Sequence, residues 1–242
     1  MEKIKTNIKG LDVLLGGGIP LHHNVFICGG PGTGKTSLSM EFLYRGALSG
    51  DNGLFLSLEE DVGSLMENVD ATFTKWNKFN QLVKEKKITI VTQESYVHVD
   101  TPETGVSPHY TYSKLQDKLN EVIEEKKIKR VVIDSASILN LFFEDDLEYR
   151  RTVLNLLRDL KKKGCTAMLT AELQNVNRET VRFAIEHFVA DGVILLYLLE
   201  QQERRISAIE VLKMRGSEHS KVLTPFKITP NGIEVYVGER VY

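Results

Sequence analysis

An α/β fold, with a mainly parallel sheet flanked by helices and antiparallel strands at its C-terminal end, is predicted by three observations. Short β-branched runs alternate with helical patterns through the first two thirds of the chain, and a parallel strand needs such a crossover helix to reach its neighbour. The last third changes character, to strands separated by turns with no helical pattern between them. A glycine-rich segment, Gly29 to Thr36, joins the first strong strand to the first long helix. At 242 residues, 42% hydrophobic and 26% charged, the chain can bury one full core, and residues 1–242 read as a single domain.

In chain order, strands are predicted at Asn24–Cys28, Gly53–Leu58, Ile88–Thr92, Arg130–Ile133 and Thr166–Thr170, each a short apolar run. Helices are predicted at Thr36–Leu48, Val62–Trp76, Tyr112–Lys126 and Leu147–Lys162, where apolar residues recur at helical spacing. Gly192–Leu199, Arg204–Lys213 and Gly232–Val237 read as strands that extend the sheet antiparallel. The stretch from Glu94 to Tyr110, polar and carrying Pro102, Gly105 and Pro108, reads as a surface loop, either a tolerated insertion or a partner-binding excursion.

A net charge of −2 argues against a protein that is basic all over, so any nucleic-acid contact needs a local patch or several subunits presenting one loop. The longest apolar stretch, Gly192 to Leu199, is far shorter than a membrane span, and Met-Glu-Lys-Ile-Lys lacks the apolar core of a signal peptide. A cytoplasmic location without membrane contact is expected. Cys28 and Cys165 form no CxxC and are expected to be buried thiols.

Gly29-Gly-Pro-Gly-Thr-Gly-Lys35-Thr36 matches the phosphate loop GxxxxGK[ST] between a strand and a helix, the context in which that pattern binds a nucleoside triphosphate. Its glycines turn backbone N–H groups toward one anion, the helix adds its positive end, Lys35 reaches the outer phosphates and the Thr36 hydroxyl holds Mg²⁺. The phosphate-contacting set is Gly30, Pro31, Gly32, Thr33, Gly34, Lys35, Thr36 and Ser37. Asp134 ends an apolar strand, which would deliver its carboxylate to the metal beside Thr36. Glu59-Glu60-Asp61 also follow a strand; one of these acids could orient the attacking water, or all three could serve the next helix N-terminus, a role Asp61 fits best. Lys213 and Arg215, two apart on an extended strand, share one face and suit either a phosphate or a solvated sheet edge.

The phrase Gly10-Leu11-Asp12-Val13-Leu14-Leu15-Gly16-Gly17-Gly18-Ile19-Pro20, ahead of the phosphate loop, resembles the opening of KaiC-type ATPases within the RecA superfamily. Glu59-Glu60, Val132-Ile133-Asp134-Ser135, the segment from Glu186 to Val193, Lys213-Met214-Arg215-Gly216-Ser217-Glu218-His219 and the segment from Pro225 to Ile233 look like further signatures in the family's order. The resemblance implies a RecA-like P-loop core, a homo-oligomeric ring, commonly a hexamer, and ATP with Mg²⁺ at each subunit interface. It makes Glu59 and Glu60 the catalytic pair, with Lys35, and Asp134 the second acid. Lys213, Arg215, Ser217 and His219 would reach a neighbour's ATP, with Arg215 as a finger on the γ-phosphate. Glu172 falls where RecA-like proteins often carry a residue that senses hydrolysis.

Departures from the family's pattern also carry expectations. The circadian-clock KaiC has two such domains and a phosphorylated Ser-Thr pair, whereas this sequence has one domain and His187-Phe188 near the comparable place, so no autophosphorylation cycle is expected. Leu21-His22-His23 stands where a glycine-containing turn is often found. Single-domain members include some that resemble RadA paralogues linked to DNA repair, which leaves two functional readings. One is slow ATP hydrolysis. The other is nucleotide-gated capture of a protein partner or single-stranded DNA, for which the segment Asn175 to Phe188, with Arg178 and Arg182, would be the contact. A small-molecule kinase is disfavoured, because no arginine-rich lid follows the core.

Overall fold

The computed structural model describes residues 1–92, 108–140, 143, 145–173, 188–201 and 204–241. In chain order the elements are β1 (Lys3–Ile4), α1 (Leu11–Leu14), β2 (Ile19–Pro20), β3 (Asn24–Gly29), α2 (Lys35–Leu48), β4 (Gly53–Ser57), α3 (Val62–Thr72), α4 (Phe79–Lys84) and β5 (Ile88–Thr92). They continue with α5 (Pro108–Lys126), β6 (Arg130–Asp134), α6 (Ala136–Leu139), α7 (Asp146–Lys162), β7 (Thr166–Glu172), β8 (Gly192–Gln201), β9 (Arg204–Met214), β10 (Thr224–Thr229) and β11 (Gly232–Val235). The main sheet has the order β11-β10-β9-β8-β3-β7-β6-β4-β5, and β1 pairs with β2 separately.

The strands from β8 to β5 across the sheet run parallel, and β9, β10 and β11 are antiparallel. The antiparallel extension therefore begins one strand later than the sequence pattern implies, because β8 still pairs in parallel with β3. Side-chain alternation along β3 splits the core in two. Phe26 and Cys28 pack with α5, α6 and α7, while Val25 and Ile27 pack with α1, α2, α3 and α4. Burial on both faces explains why these strands read as continuous apolar runs. Cys28 and Cys165 are both buried, and burial pushes the Cys165 thiol up to about 11.

Two other differences have clear causes. The helix read as Val62–Trp76 ends at Thr72, since Phe73 and Trp76 stack with centroids 3.9 Å apart and Trp76 stacks on Tyr44 of α2 at 4.2 Å, turning the chain into α4. The apolar pattern does not predict β10, because Pro225 interrupts it; the proline falls at the end of a two-residue pairing with β9, where its carbonyl still accepts the Tyr236 N–H at 2.9 Å. Pro108 to Tyr110, read as loop, begin α5, and the rest of the Glu94–Tyr110 stretch lies outside the described residues. At Leu21-His22-His23 the turn forms without glycine, with His22 at φ 62° and its N–H bonded to Thr166 Oγ1 at 3.0 Å.

The C-terminal hairpin is fastened to α2 by Glu41. Its buried carboxylate accepts from the Ile233 N–H at 2.6 Å and pairs with Arg45 at 2.9 Å, and Arg45 in turn bonds Asn231 O at 2.7 Å. Burial raises the Glu41 carboxyl above its ordinary 4.5, opposed by the Ile233 N–H and Arg45. The native state thus holds the extra proton, and this contribution to stability is present below pH 4.5 and lost as pH rises through the folded value. Glu41→Gln is expected to flatten that part of the stability profile, read as urea midpoints between pH 4.5 and 7.

Candidate nucleotide site

The loop after β3 is built to present its backbone. Gly32 and Gly34 hold φ of 71° and 92°, left-handed values that a β-carbon resists, and Thr33 Oγ1 closes the turn by donating to Gly30 O at 2.8 Å. Thr33 is buried, whereas Pro31 and Gly32 are exposed and Gly34, Lys35, Thr36 and Ser37 partly so. Lys35 Nζ lies against the loop, donating to Gly29 O and Gly30 O at 3.1 and 3.0 Å. The first turn of α2 therefore offers N–H groups and a cation to one concave spot.

Sheet order brings Asp134 there. β7 lies between β3 and β6, so the carboxyl end of β6 stands one strand from the loop. Asp134 Oδ2 accepts from Thr36 Oγ1 at 2.7 Å, and Oδ1 accepts from Thr170 Oγ1 of β7. Burial raises the Asp134 carboxyl above its ordinary range, the two threonine hydroxyls and Lys35 oppose this, and nearby Glu59 adds to it. Thr170 was not singled out from the sequence, since a threonine in an apolar strand carries no signal of its own.

The three acids after β4 separate. Glu59 Oε1 accepts from Ser135 Oγ, beside Asp134, and Glu60 Oε2 accepts from Asn68 Nδ2 of α3 at 3.0 Å. Asp61 caps α3, accepting from the Ser64 N–H at 2.9 Å and Ser64 Oγ at 2.7 Å, and these bonds lower its pKa. A cavity of about 180 Å³ borders the loop, with Thr36, Ser37, Met40, Glu60, Asn68 and Phe73 in its lining. Glu172 ends β7 opposite Gly29 and so shares the same end of the sheet.

Lys213 and Arg215 do not. β9 runs antiparallel to β8, which pairs Met214 with Gly192, and Gly192 in turn pairs with Val25 at the start of β3. The cations thus stand at the opposite end of β3 from the loop. Six residues of strand put those ends about 17 Å apart. Asp191 organises this end: its carbonyl accepts the Arg215 N–H at 2.8 Å, and its carboxylate accepts the Asn24 N–H at 3.1 Å and lies 3.9 Å from the Arg215 guanidinium. His23 Nε2 lies 3.1 Å from Arg215 O, and Lys213 Nζ donates to Ala190 O at 2.9 Å. Partial burial, then adjacent Arg215, lowers the Lys213 pKa. The Arg215 side chain is 57% exposed. Ser217 Oγ donates to Glu218 O, His219 Nδ1 lies 3.4 Å from Ser217 O, and the Ser220 N–H bonds Leu14 O of α1, holding the segment against the body.

Arg178, Arg182 and His187 lie outside the described residues. Among the described residues no helix is long and apolar enough to cross a membrane.

A family model described as the ATPase KaiC matches residues 4–240. The chain is 32% identical over 237 residues to the circadian clock oscillator protein KaiC of Nostoc sp., covering 98% of this chain and 44% of that protein. It is 35% identical over 234 residues to the circadian clock protein KaiC2 of Synechocystis sp., covering 96% and 40%. The chain thus spans less than half the length of the curated relatives it matches. A crystal structure of a KaiC-like protein from Pyrococcus horikoshii OT3 superposes with a TM-score of 0.81 at 34% identity, covering 97% of this chain and 99% of that one. Matched over residues 4–240 and built on a RecA-like core, this chain belongs to the KaiC family of ATPases.

Proposed function

We propose that residues 1–242 form one ATPase domain that hydrolyses ATP slowly in the cytoplasm, with each site completed by the Lys213–His219 segment of a neighbouring copy. The separation of the phosphate loop from Lys213 and Arg215 by the length of β3 carries this reading. On this reading one chain does not close its own site, and a contact joining one end of a molecule to the other end of the next is head-to-tail, a geometry that gives a ring when the rotation between copies closes and an open filament when it does not. The family resemblance makes a hexamer the expected ring.

In that site the loop amides and Lys35 hold the phosphates, and the neighbour's Arg215 meets the charge on the transferring group. Thr36 and Asp134 offer a hydroxyl and a carboxylate side by side, hard oxygens that suit Mg²⁺. Bound there, the ion would neutralise phosphate charge.

Lys35→Ala is expected to lower phosphate release by about a hundredfold or more. Equal release by variant and wild type would overturn the reading. Asp134→Asn removes a buried carboxylate but keeps partners for both threonine hydroxyls, so stability without ligand should change by less than about 1 kcal/mol. The gain in melting temperature from Mg²⁺ added to ATP should vanish in that variant, and its persistence would place the ion elsewhere.

A further inference from the structure

We infer that Ser135 is a positioning residue for Glu59 and thereby divides the labour of the two adjacent glutamates; this rests on the ATPase reading above. Ser135 occupies the N-cap of α6, where a serine hydroxyl ordinarily accepts from an N–H two or three residues on, yet its side chain makes no cap bond. It is 1% exposed, and its hydroxyl donates to Glu59 Oε1 instead. The local helix forgoes its cap so that an otherwise exposed carboxylate is held in one orientation.

The backbone supports this. Beyond the β4–β6 ladder the Leu58 N–H bonds Asp134 O at 2.7 Å, so Glu59 and Ser135 each follow directly on a paired residue. One carboxylate oxygen is engaged by Ser135, and Oε2 is left for the water. In hydrolysis the water oxygen bonds to the γ-phosphorus as the bond to the β,γ-bridging oxygen breaks; ADP departs with that electron pair, and a water proton passes to Glu59 Oε2. Glu60 lines the cavity beside Thr36, but its contacts differ. Its Oε2 accepts from Asn68, and its N–H donates to Ser57 Oγ at 3.1 Å, tying it to α3 and to the end of β4. Glu59 is then the proton acceptor, and Glu60 supports the wall of the cavity.

The test measures phosphate release at saturating ATP, ATP binding by calorimetry and melting temperature, for wild type, Lys35→Ala, Ser135→Ala, Ser135→Thr, Glu59→Gln and the Ser135→Ala/Glu59→Gln double variant. Ser135→Ala should lower kcat by on the order of tenfold, with ATP affinity and melting temperature little changed. The double variant should be no slower than Glu59→Gln alone, because a residue that acts through Glu59 has nothing left to position. Ser135→Thr, which keeps the hydroxyl, should recover most of the rate. A wild-type rate in Ser135→Ala, or the same further loss on top of Glu59→Gln, would overturn the role of Ser135 and leave the ATPase standing. Wild-type release no faster than Lys35→Ala would overturn the ATPase reading and this inference with it.

Discussion

Mixing Lys35→Ala protein with Arg215→Ala protein is expected to restore ATP hydrolysis that neither shows alone. Each variant should be crippled for a different reason. On the proposed reading, Lys35→Ala would take from the loop its cation for the outer phosphates, and Arg215→Ala would take from the transition state a charge worth about a thousandfold in rate. Within one chain these residues lie at opposite ends of β3, with Lys35 Nζ on Gly29 O and Arg215 held by Asp191 at the far end. In the proposed assembly they would meet only across an interface. An equal random mixture would give about a quarter of the interfaces an intact Lys35 from one subunit and an intact Arg215 from the next. The rate should rise toward that fraction of wild type on mixing, followed by phosphate release while light scattering reports the assembled mass. No recovery in a mixture that scatters as assembled rings would sink the shared site, as would a wild-type rate in Arg215→Ala alone.

Arg130→Ala is expected to cost about 3–5 kcal/mol of stability, the largest structural loss predicted. Arg130 is 2% exposed at the start of β6, so its charge is tolerable only because each side of the guanidinium is met. It pairs with Asp51 Oδ2 at 2.8 Å, donates to Phe42 O and Lys5 O at 3.0 Å each, and lies 4.7 Å from the Phe42 ring centroid. Burial lowers its pKa and Asp51 opposes the shift. Truncation leaves Asp51 only the exposed Lys129, 3.5 Å away, and releases the carbonyls of α2 and of the N-terminal segment together. Gly46 exists for the same group: a β-carbon there would stand 2.3 Å from Arg130 Nε. Removing both charges, as Arg130→Met with Asp51→Asn, should cost less than Arg130→Ala alone. Urea midpoints at constant slope measure all three, and a loss under about 1 kcal/mol for Arg130→Ala would show the pair to be dispensable.

The local parts of the site were legible because their tasks are local. The phosphate loop depends on left-handed glycines and a cation at fixed spacing, and Asp61 on a cap three residues from its partner, so pattern alone located both. Contacts made across the sheet were not. Thr170 reaches Asp134 because β7 lies between β3 and β6, and Ser135 reaches Glu59 because β4 and β6 are neighbours; neither residue type is unusual in its own sequence surroundings. Glu59 and Glu60 look equivalent in the chain and diverge only when one meets Ser135 and the other Asn68.

The sequence by itself determined the α/β class and the phosphate-loop pattern, and placed Lys213 and Arg215 in a phrase that resembles the family's, because strand alternation, glycine spacing and motif order are properties of short segments. Only the tertiary structure decided that the loop and those cations stand at opposite ends of one strand. That distance comes from β8 joining β3 in parallel and β9 returning antiparallel, a matter of strand direction to which the spacing of residues along the chain is blind.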